Sequence, residues 1–241
     1  MSAVLALVLV GGCSGSGQDT TTSSTETTVP TATETTTTTS ATTTTAGDEI
    51  PGEPIDFGPV AGDELGVVGV AHDDVLNVRA LPGTDAQIVA ELAPTATGIE
   101  ATGHNRALPE SVWYEINLEN GATGWVSSAF VGYIGTTDDA TAEVIQKLGE
   151  TPGAEFMLDL GLIVAESLAS TEPESRITMS VAPEVGDLGE VTYDVIGLGD
   201  DAIGGYRLHV FGDPIVEAFV LSNVERTYIC SRGVTPDGLC T

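Results

Sequence analysis

The side chains with the most chemistry in them are three cysteines, Cys13, Cys230 and Cys240, three histidines, His72, His104 and His209, and two tryptophans, Trp113 and Trp125. Two cysteines near the carboxyl end could begin a zinc site, but His209 is the only histidine after residue 104 and no zinc spacing surrounds it. A serine nucleophile would be expected on a Gly-x-Ser-x-Gly elbow, which the sequence lacks. The carboxylate pairs Asp73-Asp74 and Asp200-Asp201 lack the Asp-x-Asp-x-Asp-Gly run of a calcium loop and read as solvated turns. The expectation is therefore no catalytic residue, no metal and no cofactor. The tryptophans are the better candidates, because flat rings can hold a peptide or a glycan.

The elements that must position those rings are short strands. Leu76 and Val78 share one face of an extended segment while Asn77 and Arg79 share the other, and Tyr114, Ile116 and Leu118 repeat that period against Trp113, Glu115 and Asn117. Pro82-Gly83 and Asn120-Gly121 punctuate them as turns. Strand parity sets Trp113 and Trp125 opposite to Ile116 and Val126, so a barrel that buries the latter pair should leave the rings nearer its surface. Two readings stand: the rings pack across the hairpin and cover the barrel end, or they build a ligand groove with Asn77, Arg79 and Tyr133.

In order, Leu76-Asn77-Val78-Arg79, Pro82-Gly83, Trp113-Tyr114-Glu115-Ile116, Asn120-Gly121 and Gly124-Trp125-Val126-Ser127-Ser128 resemble the bacterial SH3 domain family. The segment Thr102–Ser111 departs from that pattern, reading as a loop longer than the tight connection usual before the Trp-Tyr strand. The resemblance implies an extracytoplasmic protein whose SH3-like module contacts peptidoglycan peptides or a surface protein. Such modules often accompany cell-wall cysteine peptidases, which place a cysteine at a helix start with histidines after it. Here His209 precedes both Cys230 and Cys240, so the expectation stays non-enzymatic.

The amino terminus reads as an export signal. Ala3 to Val10 is apolar, and Val10-Gly11-Gly12-Cys13 resembles the lipobox of bacterial lipoproteins, in which the cysteine sulfur takes a lipid. No basic residue precedes Arg79, so the true start is expected upstream, with Lys or Arg in the missing part. With Cys13 lipidated, Cys230 and Cys240 remain as a pair bracketing the turn Thr235-Pro236-Asp237-Gly238, and a disulfide is expected between them.

The organisation expected is a signal peptide over residues 1–13, a Thr-rich disordered linker over 14–64, an SH3-like β-barrel over 65–135 and an α+β domain over 136–241. In the last, a helix carrying Ala140, Val144, Ile145 and Leu148 ends at Gly149, and a mostly buried helix over 154–169 follows. Alternating segments from Ile177 onward then form an antiparallel meander. With seven Lys plus Arg against 36 Asp plus Glu, the net charge of −29 excludes nucleic acid as a partner. The expected place is the outer face of the cytoplasmic membrane, lipid-anchored, or the medium if Cys13 carries no lipid. A different class of reading makes the carboxyl-terminal domain the active part, a small-ligand binder or an enzyme, with the SH3-like module as spacer.

Overall fold

Alternation in the sequence becomes strand pairing in the computed structural model, which describes residues 49–183 and 189–241. In chain order the strands are β1 (Glu53–Pro54), β2 (Glu64–Val67), β3 (Leu76–Arg79), β4 (Ile88–Leu92), β5 (Ile99–Leu108), β6 (Ser111–Asn117), β7 (Thr123–Ser127) and β8 (Val131–Asp139). Helix α1 (Thr141–Leu148), β9 (Gly153–Ala154) and helix α2 (Met157–Leu168) follow, then β10 (Arg176–Val181), β11 (Glu190–Ile196), β12 (Ile203–Ile215) and β13 (Ala218–Cys230). The strands pair antiparallel throughout, in the order β10-β11-β12-β13-β8-β2-β5-β6-β7-β3-β4. The protein is mostly β, with an SH3-like barrel in its first half and the expected meander, β10 to β13, in its second. Cys13 and the Thr-rich tract lie outside the described residues.

Two apolar cores form. Leu65, Val67, Leu76, Val78, Ile116, Val126 and Val131 fill the barrel. In the second half, Leu160, Val164 and Leu168 of α2 pack onto Val191, Val195, Leu208 and Val210 of the sheet. Gly161 permits that contact, since a Cβ there would come within 2.5 Å of Val191 and 2.7 Å of Tyr193. The Tyr193 hydroxyl, brought close by the same approach, donates to the Leu158 carbonyl at 3.0 Å. Helix α1 ends at Gly149 in the left-handed conformation, and the Asp139 carboxylate accepts the Thr141 N–H at 2.8 Å at its start. No helix among the described residues is long and apolar enough to cross a membrane.

Strand β8 belongs to both halves. Its first residues pair with β2, Gly132 opposite Gly66 and Val131 opposite Val67, and its later ones pair with β13 from Tyr133–Cys230 to Asp139–Glu225. The boundary expected at residue 135 thus falls inside a strand. Cys230 packs within the barrel core and bonds to Cys240 as expected, and the Gly238 carbonyl of the closing loop accepts the Thr136 N–H at 2.7 Å.

Two further expectations are corrected. Residues 49–63, expected to continue the linker, are laid against the barrel: β1 pairs with Arg106 and Ala107 of β5, and the Asn105 amide donates to the Phe57 and Pro59 carbonyls, each at 3.1 Å. Proline and glycine there limit regular pairing, and the buried Asn105 amide adds to backbone bonds from the Ile55 N–H to the Asn105 carbonyl at 3.3 Å and from the Gly62 N–H to the Ala101 carbonyl at 3.0 Å. The segment Thr102–Ser111, expected as a loop, is mostly strand. Gly103, at φ +85°, sits where the β5–β6 register shifts between Ala101 and Asn105, so its irregular pattern marks a bulge.

The halves are also joined by an ion pair. Asp194 of β11 is wholly buried, and Arg207 of β12 donates to both its oxygens at 2.8 Å. The same guanidinium donates to the barrel carbonyls of Val67 at 2.7 Å and Pro94 at 3.3 Å, while the Gly69 N–H donates to Asp194 at 2.8 Å. Replacing Asp194 by Asn strands a mostly buried cation, so a loss of about 3–5 kcal/mol is expected in urea unfolding. A double Asp194→Leu, Arg207→Met change should not restore full stability, because the Val67 carbonyl and Gly69 N–H lose their partners.

Candidate functional site

Trp113 and Trp125 share the face of β6 and β7 that turns away from the barrel core, offset along it, with Trp113 opposite Ser127 and Trp125 opposite Glu115. Parity holds, yet the inference from it does not: Trp113 is 3% and Trp125 2% exposed. Both faces of the hairpin are covered here, and Ile116 and Val126 are buried on the other side. The Trp113 indole N–H is satisfied by the Ser111 hydroxyl at 2.9 Å.

The cavity that Trp113 reaches has a volume of about 450 Å³. Its walls are Asn77 and Arg79 of β3, the segment from Gly69 to Ala71 with Asp74 and Val75, Ser111 and Trp113 of β6, Ser127, and Phe130. Leu76, Thr84 and Thr178 complete them. Thr178 comes from β10, so the second half supplies one wall of a site otherwise built by the barrel. Arg79 reaches the cavity because its strand partner across β7 is Trp125, and its guanidinium donates to the Ala86 carbonyl at 2.7 Å. Such a pocket, with two aromatic rings, hydroxyls, one guanidinium and one carboxylate, can enclose a short segment of peptide or sugar.

Of the five residues expected to form one groove, Asn77, Arg79 and Trp113 come together. Trp125 does not line the cavity, although it is Arg79's neighbour. Tyr133 lies in a separate depression beside Phe57, Tyr114 and Arg232. It is 7% exposed, packs in the barrel core and donates its hydroxyl to Asp63 at 2.8 Å. Burial, and then the neighbouring Asp63 carboxylate, push its phenol well above the usual range. It cannot turn toward Asn77 without breaking that bond.

Sequence reasoning missed Phe130 and Thr178. Phe130 lies two residues beyond the Gly124–Ser128 run, an aromatic signal close to the strand that carries Trp125. Thr178 carries no local signal at all, since only the packing of β10 against the barrel brings it near. Two histidines are engaged elsewhere, His104 with Glu115 at 2.6 Å and His209 with Glu190 at 3.1 Å, the latter tilted against the Phe211 ring. Among the described residues, no group of three or more His, Cys, Asp or Glu is placed to hold a metal ion.

The barrel of short antiparallel strands thus carries a cavity of about 450 Å³ on one flank. Residues 74–132 match the family model of the bacterial SH3 domain, from the start of the β3 approach to the second residue of β8. No curated protein and no solved structure matches the chain.

The burial of Trp125 decides what its removal does. Trp125→Ala should cost about 3–5 kcal/mol, the range for emptying a large buried aromatic site, and thermal melting should register it as a marked fall in midpoint. A melting curve unchanged from the parent chain would contradict the burial.

Proposed function

We propose that the chain is a non-enzymatic, lipid-anchored protein of the outer face of the cytoplasmic membrane, whose SH3-like module binds cell-wall peptide or a surface protein partner. The observation that carries the reading is the cavity walled by Asn77, Arg79 and Trp113 within the residues that match the bacterial SH3 family, one that often binds cell-wall components. The anchor rests on the apolar run before Cys13 and the polar stalk after it. A long Thr-rich tract between anchor and barrel would carry the module away from the bilayer and into the wall layer. The charge of −29 argues for modest affinity toward an anionic wall, with recognition by local contacts rather than by long-range attraction.

The carboxyl-terminal half supports this reading as part of the module's frame, because Thr178 walls the cavity and Arg207 holds the barrel backbone. Binding should therefore be measured on the full chain. A fragment ending near residue 135 loses Cys230 from the barrel core and the partners of Val67 and Gly69.

Co-sedimentation with purified cell wall is expected to pellet the full chain, and Asn77→Trp, which fills the cavity, should weaken the binding about tenfold, equivalent to ~1.4 kcal/mol. Wall binding that is indifferent to Asn77→Trp would remove the cavity from the proposal. Mass spectrometry of protein from its native host should find a thioether lipid on Cys13, and Cys13→Ser should move the protein from the membrane fraction to the medium.

A further inference from the structure

Arginine in this chain is scarce and carboxylate abundant, with 36 Asp and Glu against six arginines and Lys147. Two arginines behave as that ratio suggests: Arg207 is paired with Asp194, and Arg226 with Asp138 and Glu143 at 2.8 Å. Among the described residues Arg79, Arg106, Arg176 and Arg232 do not, and of these four Arg79 lines the cavity. Among the described residues no carboxylate lies within 4.0 Å of Arg79, whose guanidinium donates to the Ala86 carbonyl. A guanidinium offers five N–H donors, so Arg79 keeps donors to spare on a half-buried wall.

A second cation stands beside the same cavity. Arg176 lies directly against Gly69, its guanidinium sits 5.0 Å from the centre of the Phe130 ring, and it donates to the Ala129 carbonyl at 3.1 Å. Gly69 and Phe130 are both cavity residues, and Arg176 also has no carboxylate partner among the described residues. Of the charged side chains at this cavity, Arg79 and Asp74 line it and Arg176 stands beside it, in a chain of net charge −29. Asp74 accepts the Val75 N–H at 2.8 Å and precedes β3, whereas Arg79 closes that strand. The two charges therefore mark opposite ends of β3.

Resting on the reading of this cavity as the wall-binding site, we infer that it selects a peptide bearing a free carboxylate, received by Arg79, with the apolar part of the peptide against Phe130 and the edge of Trp113 that meets the cavity. A guanidinium can meet a carboxylate with two parallel hydrogen bonds, which gives both strength and direction. The protein's own field favours a monoanion over a multiply charged group, because the repulsion from the acidic envelope grows with ligand charge while the local attraction comes from one cavity arginine and one neighbour. Arg176 reinforces the potential without lining the cavity.

The test uses the full chain and two probes, N-acetyl-trialanine with a free carboxyl terminus and the same peptide as its terminal amide, titrated calorimetrically. The acid is expected to bind on the order of tenfold more tightly than the amide. That preference should vanish in Arg79→Gln and persist in Arg106→Gln, whose guanidinium lies away from the cavity on the Gly52 carbonyl. Equal binding of acid and amide overturns carboxylate selection yet leaves the wall-binding site standing, provided Asn77→Trp still weakens sedimentation with the wall. A preference that survives Arg79→Gln overturns the role given to that residue. Loss of both peptide and wall binding in the parent chain overturns the inference together with the reading beneath it.

Discussion

The buried pair Asp194–Arg207 is the interaction on which the arrangement of the two halves depends. A carboxylate without solvent is tolerable only when its oxygens are filled, and here they take two guanidinium bonds, the Gly69 N–H and the Ser180 hydroxyl. The guanidinium in turn caps the carbonyls of Val67 and Pro94, groups at the end of β2 and in the loop after β4. Lysine could not do the same work, since its single ammonium cannot grip both carboxylate oxygens in one plane while reaching two carbonyls. The pair does not merely stabilise each half. It specifies the face by which one meets the other, since each polar group is satisfied only in that register.

Strand β8 makes the same junction through the backbone. Gly132 and Gly66 face each other where β2, β8 and β13 converge, and a Cβ would approach Ile229 to 2.9 Å at the first and Ile134 to 2.6 Å at the second. The missing side chains let a strand of the barrel run on into the sheet. Cys230 then links the end of β13 to the closing loop from inside the barrel core. Near the far end of β8, Arg226 bridges Asp138 and Glu143 between the rings of Tyr206 and Tyr228. Its hydrogen bonds hold the Asp138 carboxyl below the usual range, outweighing the opposing effect of burial.

Most of the elements were legible in the sequence because their signals are local. The alternation around Val78 and Tyr114, the turn at Asn120-Gly121, the α1 stop at Gly149 and the meander from Ile177 each depend on a few neighbouring residues. What could not be read depends on distant ones. Residues 49–63 look like linker by composition and are ordered by Asn105, more than forty positions away. The division at residue 135 failed to anticipate β8 because a strand serving two cores shows the same alternation as a strand serving one. For the site, parity placed both tryptophans correctly on the outer face, but only the three-dimensional covering of that face tells that one lines a cavity and the other is sealed.

That covering also ties the cavity to the stability of the fold. The cavity exists because β10 and the segment from Gly69 to Val75 stand off from β3 and β6, and both are fixed by the junction: the Met179 carbonyl accepts the His72 N–H at 2.9 Å, and Gly69 is bonded to Asp194. An isolated barrel would keep Asn77, Arg79 and Trp113 on its surface but would lose the wall that turns that surface into a pocket. Enclosure matters most for a chain this acidic, because an arginine on an open surface is screened by water and salt, whereas one on a half-buried wall keeps its field. The second half thus shapes the cavity by geometry, holding a barrel face half-closed around its one cationic wall residue.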